Sequence, residues 1–309
     1  MKRDFLTLQD LSTAKIIDLI DLALKIKKRG RIKINALRGK IIALIFEKPS
    51  TRTRVSFEVA IKSLGGDSIY LETRQLQLSR GETIADTARV LSKYVDAIIA
   101  RVYRHESLEE MAKNSEIPII NGLSDKFHPV QVLSDLVTIK EKFKRLRGIK
   151  LAFIGDGNNI CNSLLIGCSK VGVNISVATP ESYAPDEKII KIALENARKS
   201  NSLVEVLNDP LDAVKGADII YTDTFVSMGM EMEREKRLKA FLPKYQVNRE
   251  LMESTGKKTI FMHCLPAHRG EEVTSDVIDG PFSIVWDQAE NRLYTQEALL
   301  LELFGREVI

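Results

Sequence analysis

Between the apolar run Ile41–Ile45 and a helix-like pattern, the chain reads Phe46-Glu47-Lys48-Pro49-Ser50-Thr51-Arg52-Thr53-Arg54. The pattern predicts a strand, a tight turn and a helix N-terminus. Backbone N–H groups in a first helical turn lack an intrahelical partner. Here they are joined by the hydroxyls of Ser50, Thr51 and Thr53 and the guanidiniums of Arg52 and Arg54. Such a set suits an anion with several acceptor oxygens, phosphate above all. Pro49 offers no ladder donor and keeps Lys48 out of the helical region, which fixes the turn beside the hydroxyls. Cations here oppose the helix dipole, which a merely capped, solvated turn would leave unexplained.

Further polar groups stand just after predicted strands. Arg101, in Arg101-Val102-Tyr103-Arg104, ends a strand where a charge near a buried edge calls for an anion; a surface salt bridge is the alternative. In Phe127-His128-Pro129-Val130-Gln131, Pro129 suits the first helical position, so His128 and Gln131 share one side of the first turn. An imidazole and an amide there can hold a C=O and an NH₂ and polarise the carbonyl, although a capping histidine can also be structural. Gly155-Asp156-Gly157-Asn158-Asn159-Ile160 follows a strand, but Ile160 replaces the third glycine of a dinucleotide fingerprint and no acidic residue ends the next strand at Ala178. NAD and other cofactors are not expected. Asn158 and Asn159 read instead as neutral donors at a helix start, suited to a carboxylate.

Asp223-Thr224-Phe225-Val226-Ser227-Met228-Gly229 can pair an ammonium through Asp223, complete the shell through Ser227 and the Met228 N–H, and swing at Gly229. Met262-His263-Cys264-Leu265-Pro266-Ala267-His268-Arg269-Gly270 gathers two histidines and a cysteine, yet Pro266 prevents a regular helix through them and no acidic or cysteine cluster is read beside them, so no metal is expected. For Cys264 an inert thiol is the alternative to a functional one.

The elements that must position these groups alternate. After a helix capped by Ser12 or Asp10 and stopped by Gly30, strands are predicted at Lys40–Phe46, Ser68–Leu71, Ala97–Val102 and Pro118–Asn121, with helices at Thr53–Ser63, Thr83–Lys93, Ser107–Asn114 and Pro129–Lys144. A second series begins at Lys150 and continues to a strand at Thr259–Met262. It is interrupted by a long polar insertion, Asp223–Lys258, that reads as a mobile loop with a short helix. A final amphipathic helix, Ala289–Phe304, is expected to return to the first half. Apolar strands in βα alternation predict an α/β fold of two domains, each a parallel sheet flanked by helices. The boundary falls near 147, giving 1–147 with 289–309 and 148–288.

A length of 309 residues, 44% hydrophobic and 28% charged, fits a soluble protein of that kind. No run of about 18 apolar residues occurs, so no membrane span is expected. The start Met1-Lys2-Arg3-Asp4 lacks the apolar core of a secretory signal, which predicts a cytoplasmic protein. Cys161, Cys168 and Cys264 cannot build a disulfide framework. With 46 basic and 42 acidic residues the net charge of +4 does not call for nucleic acid. The basic clusters Lys25–Lys33 and Lys140–Lys150 read as solvated helix ends.

Taken together, these motifs resemble the carbamoyltransferase family, in whose order they occur along essentially the whole chain. Ser-Thr-Arg-Thr-Arg resembles the family's phosphate site and His-Pro-x-Gln its carbonyl site. Asp-x-x-x-Ser-Met-Gly and His-Cys-Leu-Pro resemble the signatures of members that act on ornithine; members acting on aspartate carry Pro-Leu-Pro after the histidine. The resemblance implies transfer of a carbamoyl group from carbamoyl phosphate to the δ-amine of L-ornithine, with chemistry in a cleft between the domains. It implies a donor set of Ser50, Thr51, Arg52, Thr53, Gln77, Arg101, His128, Gln131, Cys264, Leu265 and Arg292, and an acceptor set of Asn159, Asp223, Ser227 and Met228. Catalytic roles fall to Arg101, His128, Asp223, Cys264 and Arg292, although Arg292 could instead pair on the helix surface with Glu290 or Glu297. The loop Gln75–Thr83 is implied to enter a neighbouring subunit's site, which predicts a homotrimer or an assembly of trimers. A relative using putrescine, N-acetylornithine or aspartate, or a non-catalytic anion binder, remains the alternative at this stage.

Overall fold

The computed structural model describes residues 4–30 and 35–305. Met1–Arg3 of the charged start, the end of the Lys25–Lys33 cluster and residues 306–309 of the final segment lie outside the described residues. The chain divides into two compact units, Met1–Val137 with Glu290–Ile309 and Thr138–Ala289.

In the first unit Ser12 caps α1 (Thr13–Arg29), and Gly30, at φ 76°, ends it. There follow β1 (Ile41–Phe46), α2 (Thr51–Ser63), β2 (Asp67–Glu72), α3 (Ile84–Leu91), β3 (Ala97–Arg101), α4 (His105–Asn114), β4 (Ile119–Leu123) and α5 (Pro129–Phe143). The four strands are parallel in the order β2-β1-β3-β4. β3 is buried along its whole length and β1 from Ile42 onward, which is why both read as unbroken apolar runs. The strand order reverses between β1 and β3, and Phe46 lies in register with Arg101 at their carboxyl ends. Connections leaving such a pair run to opposite faces and open a crevice for ligand.

The second unit repeats this logic with β5 (Lys150–Ile154), α6 (Asn159–Val171), β6 (Asn174–Ala178), α7 (Glu187–Ser200), β7 (Val204–Leu207), α8 (Pro210–Val214), β8 (Ile219–Thr222), α9 (Arg234–Phe241), α10 (Arg249–Glu253), β9 (Ile260–His263) and α11 (Ser275–Ile278). Its parallel order is β7-β6-β5-β8-β9, so the reversal falls between β5 and β8. The Asp223–Lys258 insertion carries two helices, not one. It is also pinned to the core, with Phe225 stacked on Phe241 at 4.6 Å and Tyr245, Val247 and Leu251 buried. Its charged run hid these widely spaced apolar anchors; the longest continuously exposed stretch in it is Met228–Lys236.

The last helix, α12 (Val285–Phe304), begins before the expected Ala289. It returns to the first unit, where Asn291 accepts from Lys27 of α1 at 2.9 Å, Glu302 meets Lys15 at 2.7 Å and Glu297 accepts from Ser63 of α2 at 2.5 Å. Among the described residues no helix is long and apolar enough to cross a membrane.

Candidate active site

At the β1 end, Ser50 takes the extended N-cap conformation, and its Oγ accepts from the Thr53 N–H at 3.2 Å. Thr51, Arg52 and Thr53 therefore form the first turn of α2. Arg101 closes β3 and is buried. On α5, which Pro129 opens, Gln131 donates from Nε2 to Asp135 Oδ1 at 2.8 Å, and this fixes its amide with Oε1 outward. From α12, Arg292 donates through Nη1 to that Oε1 at 2.7 Å and through Nη2 to Thr53 Oγ1 at 3.1 Å. One planar guanidinium thus joins the starts of α2 and α5, a geometry the fork of arginine is built for. Glu290, the alternative partner for Arg292, is held by Lys27 at 3.1 Å.

His128 sits amid this positive charge. Its imidazole is 5% exposed, and burial holds its pKa well below the usual histidine value, with Arg292, Arg101 and Arg52 pushing the same way. At neutral pH it is uncharged, so it presents one N–H donor and one acceptor nitrogen. Neutral imidazole beside several guanidiniums is a medium prepared for an anion and for a polarised carbonyl. Arg54 does not join them. Its Nε bonds Glu58 one turn along at 2.8 Å, and its guanidinium lies 3.6 Å from the centre of the Tyr70 ring. Next to the site, the Lys48 ammonium rests 4.4 Å from the centre of the Tyr103 ring, and Glu47 accepts the Tyr103 N–H at 2.5 Å.

In the second unit the groups converge after β5, β8 and β9. Asn158 caps α6: its Oδ1 accepts from the N–H groups of Ile160 and Cys161 at 3.0 and 3.2 Å. Its Nδ2 donates to Asp223 Oδ2 at 2.8 Å, while the Cys264 thiol donates to Asp223 Oδ1 at 3.1 Å. The loop before Asn158 is tight, since a Cβ on Gly157 would lie 2.3 Å from the Pro185 nitrogen. Beside it, Asp156 pairs with Arg237 of α9 at 2.8 Å, and the same Nη1 donates to the Phe225 carbonyl at 3.1 Å. Burial raises the Asp156 pKa to about 6; Arg237 pulls it down, and Asp223 and Glu233 push it up.

Cys264 follows a buried pair. His263 Nε2 faces Glu272 Oε1 at 3.1 Å, and His263 Nδ1 accepts the Leu265 N–H at 2.8 Å, so the ring is the Nε2–H tautomer. Leu265 is held at φ 58°, a conformation that costs a non-glycine residue about 1 kcal/mol or more. Ligand-type groups gather twice among the described residues, as Asp223 with His263 and Cys264 and as His268 with Glu271 and Glu272. Glu271 and Glu272 directly follow the motif read for metal, so the expectation that no acidic cluster stands beside it was wrong. Their partners are now apparent: Glu271 is paired with Arg234, and Glu272 also accepts the His268 N–H at 2.6 Å.

Of the residues expected from sequence, the first unit brings Thr53, Gln131 and Arg292 into direct contact, with Arg52, Arg101 and His128 linked by charge. The second brings Asp223 and Cys264 together, with Asn159 half-buried at the first position of α6. Ser227 is half-buried, Thr51 and Met228 are exposed, and Gln77 is exposed on a 3₁₀ turn, Gln77–Arg80. Asn158, read as a donor for a ligand carboxylate, has its amide committed to the helix cap and to Asp223. Sequence reasoning did not single out Asp156, Arg237 or Glu272. The first stands in the glycine turn and invited a role, but Arg237 is one charge in Glu231–Arg237, and nothing local marks it as buried.

Comparison with known proteins finds two family models that together span most of the chain. Residues 3–141 match the aspartate/ornithine carbamoyltransferase carbamoyl-P binding domain, and residues 147–303 match the Asp/Orn binding domain. The chain is 55% identical over 305 residues to an ornithine carbamoyltransferase of Pyrococcus horikoshii, covering 98% of this chain and 96% of that one. It is also 55% identical to the protein of Pyrococcus furiosus described as ornithine carbamoyltransferase, anabolic, with the same coverage. Among solved structures, ornithine carbamoyltransferase from Pyrococcus furiosus superposes with a TM-score of 0.94 at 54% identity, covering 99% of this chain and 98% of that one. The Gloeobacter violaceus enzyme gives 0.89 at 46% identity, covering 99% of each chain.

Proposed function

The chain belongs to the aspartate/ornithine carbamoyltransferase family and has ornithine carbamoyltransferase activity, and from that premise we propose how its own residues divide the reaction. Donor binding is assigned to residues 1–147 with 289–309, and ornithine binding to 148–288. The observation that carries this reading is the uncharged, buried His128 beside Arg52, Arg101 and Arg292 at the capped start of α2. Ser50, Thr51, Arg52, Thr53 and Arg101 hold the phosphate of carbamoyl phosphate, joined by Gln77 from an adjacent subunit. His128, Gln131 and Arg292, with the backbone of Cys264 and Leu265, orient the carbamoyl group and stabilise the oxyanion that develops on its oxygen.

Asn159, Asp223, Ser227 and Met228 hold ornithine, with Asp223 as an ammonium partner; the side-chain amine must react as the free base, and Asp223 and Cys264 are the residues assigned to influence its protonation. The δ-nitrogen forms the new C–N bond as the bond from carbon to the phosphate oxygen breaks. The nitrogen gives up one proton, which the leaving phosphate accepts. Citrulline and phosphate result, and positioning with electrostatic stabilisation supplies the rate. The word anabolic in the name of the Pyrococcus furiosus relative supports a role in arginine synthesis.

The assembly is a cytoplasmic homotrimer or a set of such trimers. An exposed Gln77 and the exposed Val55, Val59, Ile69 and Val90 of the first unit support such packing. Sedimentation should give a species of three 34.8 kDa chains or a multiple of three. The test of the site is Arg52→Ala, which should raise the KM for carbamoyl phosphate and lower kcat by about two to three orders of magnitude. Near-normal kinetics would remove Arg52 from the donor site.

A further inference from the structure

Asp223 can serve an ammonium only if its carboxylate points the right way, and two neighbours set that direction. Cys264 donates to Oδ1 and Asn158 to Oδ2. We propose that Asn158 is a positioning residue for the acceptor: its amide, held by the α6 cap, fixes the Asp223 carboxylate so that ornithine meets it in one orientation.

The geometry leaves Asn158 little freedom. Its oxygen is taken by two backbone N–H groups of α6, so Nδ2 must face away from the helix, and it faces Asp223. Its own backbone is fixed as well, since its N–H donates to the Asp156 carbonyl at 2.7 Å and the Gly157 N–H donates to Tyr183 at 2.8 Å. The anchor lies where the sheet order reverses: Thr222, just before Asp223, is in register with Ile154 on one side and His263 on the other. A carboxylate left to rotate there would spread its charge over several directions, and Asp156 lies close enough to repel it. A hydrogen bond from a neutral amide holds the carboxylate without cancelling its charge, which a lysine or arginine at 158 would do. The inference rests on the assignment of Asp223 to ornithine.

Two substitutions separate the cap from the clamp. Asn158→Asp and Asn158→Ser both keep an oxygen able to cap α6, but the first removes the donor and adds a repelling charge, and the second shortens the side chain beyond reach of Asp223. Both should retain the wild-type melting temperature within a few degrees and the KM for carbamoyl phosphate within about twofold. The KM for ornithine should rise about 10- to 100-fold, the range expected when a hydrogen bond to a charged group is lost, with Asn158→Asp the more affected. If Asn158→Asp does not fold, Asn158→Ser carries the same expectation. Ornithine KM within about twofold of wild type, or a parallel rise for carbamoyl phosphate, would overturn the inference. Asp223→Asn is the companion measurement. If it impairs ornithine while the Asn158 variants are normal, Asn158 alone is wrong; if it leaves ornithine untouched, the acceptor assignment falls and this inference with it.

Discussion

Arg292 Nη1 lies 2.7 Å from Gln131 Oε1, although the two residues are 161 positions apart. The bond exists because α12 returns to the first unit and lies against α1, α2 and α5. Its second arm reaches Thr53, so the helix that completes the fold also ties together the groups proposed to hold phosphate and carbamoyl. Fold and site therefore depend on one buried side chain.

Arg292→Met tests that dependence. The substitution keeps apolar volume but removes both donors, which should lower kcat/KM by about 10²- to 10³-fold if Arg292 stabilises the developing oxyanion. It should also cost about 1–3 kcal/mol of stability, because Gln131 Oε1 and Thr53 Oγ1 stay buried without this donor. Arg292→Lys should rescue little, since a single ammonium cannot span both acceptors. Steady-state kinetics and urea titration of the same preparations measure the two effects. Loss of stability with kinetics unchanged would confine Arg292 to a structural role.

Much of this was legible from the chain. Apolar strands alternating with amphipathic helices predicted two parallel sheets, and the polar motifs fell after strands because a parallel sheet directs its carboxyl ends to one edge. Helix starts were readable where a side chain acts locally, as at Ser12, whereas α2 begins at Thr51, two residues before the expected Thr53, because Ser50 caps it. Pairings set by the third dimension were not readable. Arg54 and Arg52 look equivalent in sequence, yet helix geometry sends Arg54 to Glu58 and Tyr70. Arg237 looks solvated among its charged neighbours but is 6% exposed, and the apolar anchors of its segment are too widely spaced to form a pattern. Asn158 reads from sequence as a donor for a ligand at a helix start, but its oxygen caps α6, and the partner of its Nδ2 lies 65 positions away.

Acid should destabilise the protein partly through His128. Its folded pKa lies well below the ordinary value, while the unfolded chain titrates near 6.5. Below about pH 6.5 the unfolded state takes up a proton that the folded state refuses. The stabilisation is complete above that pH and declines as pH falls toward the folded value, by up to about 1.4 kcal/mol per pH unit. Comparing wild type with His128→Gln by urea titration at pH 7.5 and pH 5.5 should show the variant losing about 1 kcal/mol less across the interval. His105, whose pKa burial also lowers, is common to both proteins and drops out of the difference. Equal losses would mean that His128 is protonated in the fold.

Asp156 should act with the opposite sign. Its folded pKa of about 6 lies above the unfolded carboxyl value near 3.9, so the folded state binds this proton more tightly. The stability it contributes is therefore full below about pH 4 and is lost as pH rises through about 6. Wild type should gain stability relative to Asp156→Asn as pH falls across that window. Function should respond in the other direction, because protonation weakens the Asp156 carboxylate as a partner for Arg237, the residue that also holds the Phe225 carbonyl two positions beyond Asp223. The KM for ornithine in wild type should thus rise below about pH 6. In Asp156→Asn it should be raised at every pH, by about tenfold, the loss expected for a buried charge-assisted bond, and that step should vanish. Kinetics with ornithine varied from pH 5 to pH 8 would decide the matter. A variant that kept the wild-type step would show that Asp156 is not its source.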